Sequence, residues 1–358
     1  MATNTTHRSG LSGRTTAPRN QILTRFSTEI LICVGLLAIG GYFALTLGSK
    51  FVSAGTLILL SQQLGILVIV AAGQAFPILV GGFDLSVAAT MGFASTVAAL
   101  SMTANYTVET SVIFALLAGA GVGLVNGVLI AVFRISPFVV TLGTLTFLGG
   151  FANAIAGGSS IAGLPLRFTQ NWGAGDWFNF LPSAAGIGLI VVIVIWFLLS
   201  HTRIGLQIYA VGGSREASAL VGTRVRAVEV FAYVTSGLLA ALAGVVLAAR
   251  VGIGQASLGQ GYDLLSIAAV VIGGVAIGGG VGRIWGVVLG ALLLTVVTIG
   301  LDIGAVSQFA QQMITGGVLI VAVWVSQLKG QVSISRFLRN ALRVKRPASG
   351  GDAPSRVA

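Results

Sequence analysis

The sequence predicts an all-α, polytopic membrane protein, because its charge is low, its hydropathy is high and its apolar runs are long. Only 8% of its 358 residues are charged, whereas soluble domains carry about 25%, and the mean hydropathy is +0.98. Since so few charges cannot cover a water-facing surface, the outside of the protein must face lipid. The apolar runs are continuous rather than alternating, which favours helices over the strands of a membrane β-barrel.

About ten apolar runs predict about ten membrane helices. In chain order they are 30–48, 54–80, 85–104, 111–133, 138–157, 183–200, 229–249, 264–278, 284–300 and 308–327. The run 54–80 is long and contains Pro77, which predicts a tilt or a kink. The run 264–278 is short, which predicts a half-buried helix protected by its neighbours.

The distribution of basic residues predicts the orientation of these runs. Arginines precede the first run and follow the fourth, sixth, eighth and tenth, whereas the alternate loops hold few basic residues, namely Lys50, Arg167 and Arg250. Cytoplasmic loops of membrane proteins are the ones enriched in Lys and Arg. Both termini and the loop 201–228 are therefore predicted to be cytoplasmic, and the net charge of +11 reflects topology rather than a nucleic-acid partner.

Three regions follow from this pattern: a polar tail at 1–28, a transmembrane domain at 29–328 and a basic tail at 329–358. The N-terminal segment lacks a small-residue cleavage site, so the first run is expected to remain as an anchor. In the C-terminal tail, the arginines at 336, 339 and 343 share one helical face. They predict an amphipathic segment on the inner leaflet, or else a solvated tail.

Several classes of chemistry are excluded by the residue types present. The single Cys33 cannot form a disulfide within the chain, and His7 and His201 lie in polar segments, so no metal cluster or histidine-based catalytic site is predicted in the membrane. The chain contains no G-x-x-x-x-G-K-[ST] phosphate loop. No cofactor and no enzymatic activity are expected, and any ATP must be bound by a separate chain.

Two stretches resemble each other: "GFDLSVAA" at 82–89 and "GYDLLSIAA" at 261–269. Asp84 opens the third run and Asp263 the eighth, so five runs separate them and they lie on opposite sides of the membrane. This arrangement predicts two inverted five-helix repeats, as in alternating-access transporters, although glycine-rich membrane helices also produce chance similarities. An ionisable residue at such a position is a candidate for function, and capping of a helix N-terminus is the alternative for both aspartates.

Glycines four residues apart follow each of these stretches and would allow close helix packing in lipid. They are Gly119, Gly123 and Gly127 in the first half, and Gly278, Gly282, Gly286 and Gly290 in the second.

A polar island, "YAVGGSREASALVGTRV" at 209–225, interrupts the apolar sequence. Ser214 can cap a short helix and Gly222 can end it. Ala217, Leu220 and Val221 would then form one apolar stripe. Because so short a helix is not stable alone, it is expected to dock on another surface, the alternative being an ordinary surface loop with a helical turn.

Four segments together resemble the membrane permeases of ribose/xylose-type ATP-binding cassette importers, a family that includes branched-chain amino acid and autoinducer-2 permeases. They are "GQAFPILVGGFDLSV" (73–87), "NGVLIAVFRISPFVVTLGTLTFLGG" (126–150), "TRIGLQIYAVGGSREASALVGTRV" (202–225) and "YDLLSIAAVVIGGVAIGGGVGRIWGVVLGALLL" (262–294). The resemblance extends over roughly residues 30 to 327, in order and without large gaps.

The resemblance implies a multi-pass protein of the bacterial inner membrane with several partners. These are a cytoplasmic ATP-binding cassette ATPase, a second permease subunit (identical or different), a periplasmic solute-binding protein and the lipid bilayer. It also implies that the polar island carries the helix that couples to the ATPase, through Gly213, Ser214, Arg215, Glu216, Ala217, Leu220, Val221 and Gly222.

The resemblance further implies a small neutral sugar as the solute. Neutral polar residues in the runs are candidates for its path, together with Asp84: Gln74, Asn126, Thr141, Thr144, Asn153 and Ser266. Each could instead form a helix–helix hydrogen bond. Other solutes remain open (autoinducer-2, a nucleoside, inositol or a branched-chain amino acid), as does a secondary transporter with its own ion coupling.

Overall fold

The computed structural model describes residues 27–177 and 180–331. The predictions for the tails at 1–28 and 329–358, including the amphipathic C-terminal segment, therefore fall almost wholly outside the described residues. Within them the protein is all-helical apart from a two-residue antiparallel pair, β1 (Asp176–Trp177) with β2 (Leu181–Pro182).

The helices follow the apolar runs closely. In chain order they are α1 (Ser27–Leu47), α2 (Ala54–Leu79), α3 (Val87–Thr103), α4 (Val108–Ala131), α5 (Pro137–Ile155), α6 (Leu166–Thr169), α7 (Ser183–His201), α8 (Arg203–Gly213), α9 (Arg215–Leu220), α10 (Val225–Val251), α11 (Tyr262–Ile272), α12 (Ile284–Ile303) and α13 (Gln308–Gln331). Seven helices of the described chain are long and apolar enough to cross a membrane, namely α1, α2, α4, α5, α7, α10 and α12. The helices α3 and α11 are apolar but shorter. The protein is polytopic, as predicted.

The centre of the protein is formed by α2 and α10. Helix α10 packs against α2, α3 and α4, and α2 also packs against α7, α11 and α12. Their inward faces include fully buried large side chains such as Phe76 and Tyr233. Helix α1 lies at the edge against α12, and Leu45 on it is 89% exposed. Such apolar exposure is what a lipid-facing surface requires.

Small residues allow α4 and α10 to pack closely. Gly119, Gly123 and Gly127 all face α10, and a methyl group on Gly119 would come within 2.5 Å of the Gly237 carbonyl oxygen. A methyl group on Gly127 would lie 2.9 Å from Val230 Cα. Both distances are shorter than real contacts of this kind, so a side chain at these positions would separate the helices.

The second glycine series differs from the prediction. Gly286 and Gly290 lie on α12 and face the end of α11, but Gly278 and Gly282 lie in the loop 273–283, before α12 begins. The expectation that all four glycines clear one helix face is therefore wrong. The run 264–278 is likewise helical only to Ile272, because the chain then takes up left-handed backbone, with φ of +84° at Gly274, which an α-helix cannot contain.

Candidate functional site

The polar island contains the end of α8 and the whole of the short helix α9, which has a cap at each end. Ser214 Oγ accepts a hydrogen bond from Ala217 N at 3.2 Å and donates one to Glu216 Oε2 at 3.3 Å. Beyond the helix, Gly222 adopts a φ of +82°, and its amide donates to Ala219 O at 3.0 Å. The sequence therefore specifies α9 locally, through a serine N-cap and a glycine in the left-handed region.

One side of α9 is buried and the other is apolar and uncovered. Ser218 is 4% exposed and faces the protein, whereas Leu220 is 89% exposed and Val221 is 80% exposed. Ala217 is also exposed. On the topology predicted from the sequence, these side chains would face the cytoplasm, where water rather than lipid would surround them. Adjacent exposed apolar side chains on a water-facing surface are typical of a contact site.

An ion pair attaches α9 to the body of the protein. Arg215 Nη2 lies 2.8 Å from Glu229 Oε1 on the first turns of α10, although the groups are not aligned for a hydrogen bond. The Glu229 side chain is 7% exposed and the Arg215 side chain is 50% exposed. Since a buried carboxylate is costly without a cation beside it, this pair fixes the start of α9 to α10.

Preceding α9, the end of α8 contacts two breaks in the membrane helices at once. A methyl group on Gly212 would overlap both the carbonyl oxygen of Leu79, at the end of α2, and the backbone of Gly280, in the loop 273–283. Gly280 N donates to Leu79 O at 2.9 Å, and Tyr209 OH donates to Gly282 O at 3.1 Å. The segment leading into α9 is thus in backbone contact with the residue that precedes the loop 80–86 and with the second half of the loop 273–283.

The loop 80–86 contains a buried polar network centred on Asp84, which is 1% exposed. Its Oδ1 accepts hydrogen bonds from Ser86 N at 3.0 Å and Ser86 Oγ at 2.5 Å, and its Oδ2 accepts one from Ser236 Oγ at 2.7 Å. Asn126 Nδ2 donates to Ser86 Oγ at 2.9 Å, and Thr144 Oγ1 donates to Asn126 Oδ1 at 2.6 Å. The network joins the loop 80–86 to α4, α5 and α10.

The backbone of the same loop is held by side chains from α2 and α10. With its amide oriented to satisfy both groups, Gln74 donates to Asp84 O at 3.0 Å and accepts from Asp84 N at 3.3 Å. Tyr233 OH donates to Phe83 O at 3.3 Å. Internal hydrogen bonds of this kind stabilise an irregular segment between membrane helices.

Comparison with known proteins decides the family. Residues 56–323 match the family described as "Branched-chain amino acid transport system / permease component". The chain belongs to this family.

Several relatives are sugar permeases. The chain is 36% identical over 289 residues to the "Ribose import permease protein RbsC" of Escherichia coli, covering 79% of this chain and 89% of the relative. It is 33% identical over 279 residues (78% and 85%) to the "D-allose transport system permease protein AlsC" of Escherichia coli. It is 34% identical over 307 residues (83% and 84%) to the "Fructose import permease protein FrcC" of Rhizobium meliloti. No solved structure matches significantly.

These matches confirm the resemblance identified from the sequence. The protein is a permease component and not an enzyme.

In this permease, the residues named as candidates for the solute path fall into two groups. Four of them, Gln74, Asp84, Asn126 and Thr144, meet in the network described above. The other three each donate a hydrogen bond to a nearby carbonyl of their own helix: Thr141 to Pro137, Asn153 to Gly149 and Ser266 to Asp263. Asp263 itself lies partly exposed in the first turn of α11, so the two aspartates of the repeat have different environments.

A second polar connection was not singled out from the sequence. Arg250 Nη1, at the far end of α10, donates to Gln63 Oε1 at 2.6 Å, and Gln63 Nε2 donates to Tyr262 OH at 3.1 Å. This connection joins α2, α10 and α11 on the side of the protein opposite to α9. Arg250 has the sequence signature of a charge flanking a membrane helix, and nothing nearby in sequence indicates that it contacts Gln63.

Proposed function

We propose that this chain is the membrane subunit of an ATP-driven importer and that α9 is the site at which a cytoplasmic ATPase docks. The observation that carries the proposal is the uncovered apolar face of Leu220 and Val221 on a capped helix. The preceding helix, α8, contacts the backbone at the end of α2 and in the loop 273–283. An ATPase covering that face would move α9, and α8 would pass the movement to the loops 80–86 and 273–283.

The proposed topology has ten membrane helices, namely α1 to α5, α7 and α10 to α13, with both termini in the cytoplasm of a bacterium. The seven long apolar helices, the two shorter ones and the 24-residue α13 support this count. Short helices such as α3 and α11 are tolerated in membranes when neighbouring helices shield their ends. Both short helices follow a non-helical loop in which one of the two similar stretches begins, 80–86 before α3 and 252–261 before α11, and this shared position supports two inverted repeats.

We further propose a small neutral sugar as the solute, delivered by a periplasmic binding protein to a pair of permease subunits. The names of the relatives, which are ribose, allose and fructose permeases, support this class. A secondary transporter would need a carboxylate free to bind its coupling ion. Asp84 is the most deeply buried candidate, and it already accepts three hydrogen bonds from serines.

Reconstitution in proteoliposomes tests the proposal. The permease and its ATPase would be reconstituted with the ATPase and ATP inside the vesicles. The binding protein and labelled ribose would be added outside, and the uptake of ribose would be measured. Uptake should require both ATP and the ATPase, and unlabelled allose or fructose should compete if the site accepts several sugars. Uptake by the permease alone, driven by a proton or sodium gradient, would contradict the proposal.

A further inference from the structure

A cavity of about 860 Å³ lies between α9, the α4–α5 turn and the first turns of α10. Four guanidinium groups line it against two carboxylates, a net charge of +2. They belong to Arg134, Arg215, Arg224 and Arg226, and to Glu216 and Glu229. This concentration of arginines is unusual in a protein whose charged residues make up 8% of the sequence.

The two carboxylates balance only half of the positive charge in this cavity. Arg215 is paired with Glu229, but within the described residues Arg134, Arg224 and Arg226 form no ion pair within 4 Å. Arg134 also has a left-handed backbone, with a φ of +58°. Residues other than glycine rarely adopt that backbone conformation, and they retain it mainly where the surroundings or a function require it.

An apolar groove continues from the charged cavity. Arg226 and Ala227 line both, and the other walls of the groove, which has a volume of about 460 Å³, are apolar: Val132, Val230, Phe231 and Val234. From Arg226 to Val234 the groove follows α10 for about 12 Å, at about 1.5 Å per residue. On the proposed topology, the two cavities together would present arginines at the membrane surface and apolar side chains below it.

We propose that these two cavities bind one anionic phospholipid of the cytoplasmic leaflet. Arg134, Arg224 and Arg226 would hold the headgroup phosphate, since guanidinium groups donate paired hydrogen bonds to phosphate oxygens. One acyl chain would occupy the groove along α10. A free phosphate would occupy the charged cavity but leave the apolar groove empty. An acidic side chain of another protein would likewise leave empty the groove, which runs into the membrane. Because Arg215 of α9 also lines the cavity, the bound headgroup would lie beside the start of α9.

This inference goes beyond the transport role and depends only on the proposed cytoplasmic position of this face. Lipid binding can be measured without solute, ATP or ATPase, so its failure and a failure of the transport proposal are distinguishable.

Native mass spectrometry of the full-length permease in a neutral detergent provides the test. Phosphatidylglycerol and phosphatidylcholine with identical acyl chains would be added at equal concentration. Phosphatidylglycerol should be retained about tenfold more, and Arg134→Gln or Arg226→Gln should each lower its retention about fivefold. Arg203→Gln removes the same charge from an exposed position on α8 outside the cavity and should have no effect. Val230→Trp, which fills the groove, should lower phosphatidylglycerol retention while all arginines remain.

Any of four results would overturn the proposal. Equal retention of the two lipids, or an equal loss in Arg203→Gln, would show general attraction to a basic surface. Full competition by inorganic phosphate, with no effect of Val230→Trp, would indicate a phosphate site without a lipid. Displacement of the lipid by the purified ATPase subunit would assign the cavity to the protein interface.

Discussion

Replacing Leu220 by aspartate should separate assembly of the transporter from folding of the permease. The side chain is 89% exposed, so the change should alter the permease's own free energy of unfolding by less than about 0.5 kcal/mol. Docking on the ATPase would cover the side chain. Covering a leucine contributes about 1.5–3 kcal/mol, and a loss of about 2 kcal/mol corresponds to about thirtyfold weaker binding. A buried carboxylate without a partner adds a further cost.

Two measurements on the same preparations check this prediction. The affinity of the ATPase for the detergent-purified permease would be measured by surface plasmon resonance with the permease immobilised. ATP-dependent uptake would be measured in proteoliposomes. Leu220→Asp should bind at least about thirtyfold more weakly and support little uptake, whereas Leu220→Met, which keeps an apolar side chain of similar volume, should behave as the wild type. Both variants should have the wild-type unfolding temperature. Normal ATPase affinity and normal uptake by Leu220→Asp would refute the docking role of α9.

Three further predictions concern the contact of α8 with α2, the hydrogen bonds of Asp84 and the membrane topology. The transporter with Gly212→Ala should retain the ATPase but hydrolyse ATP without proportionate uptake. The reason is that the added methyl group would overlap the Leu79 carbonyl oxygen and force α8 away from α2. Unchanged uptake per ATP hydrolysed would count against a coupling role of this contact. Ser236→Ala should lower the free energy of unfolding by about 1–3 kcal/mol, since Asp84 loses a buried hydrogen bond. The control Asn153→Ala, at an exposed position, should change it by less than about 0.5 kcal/mol. Equal effects of the two variants in thermal unfolding would contradict this prediction. Reporter fusions in the α1–α2 and α12–α13 loops should read outside and those in the α4–α5 loop and in α9 inside, and a reversed pattern would end the proposed topology.

The helices were predictable because a membrane helix is specified by its own composition. The third run, 85–104, became Val87–Thr103, and the seventh, 229–249, became Val225–Val251. The eighth run was predicted too long because hydropathy does not distinguish a helix from an apolar, glycine-rich loop. What ends α11 is backbone conformation after Ile272, a property that glycine permits but that its hydropathy does not reveal.

The candidate site was predictable only where it is local. The caps of α9 at Ser214 and Gly222 lie within ten residues of each other, so the sequence pattern contains the whole structure. The partners of Asp84 do not have this property: Ser236 is 152 positions away along the chain. Which serine or asparagine meets an aspartate in a helical bundle depends on helix rotation and depth, and these are set by packing across the whole fold.

The contact of Gly212 with Leu79 and Gly280 joins main chain to main chain, and this has a mechanical consequence. A side chain placed between two moving parts can change rotamer and absorb a displacement of a few tenths of an ångström. Directly apposed peptide groups have no such freedom, so a shift of α8 towards them must be matched by a shift of the backbone at Leu79 and Gly280. The junction therefore behaves as a stiff linkage, and its stiffness is independent of the side chains around it. Residues lining a solute path could change over evolution without altering how far the linkage moves.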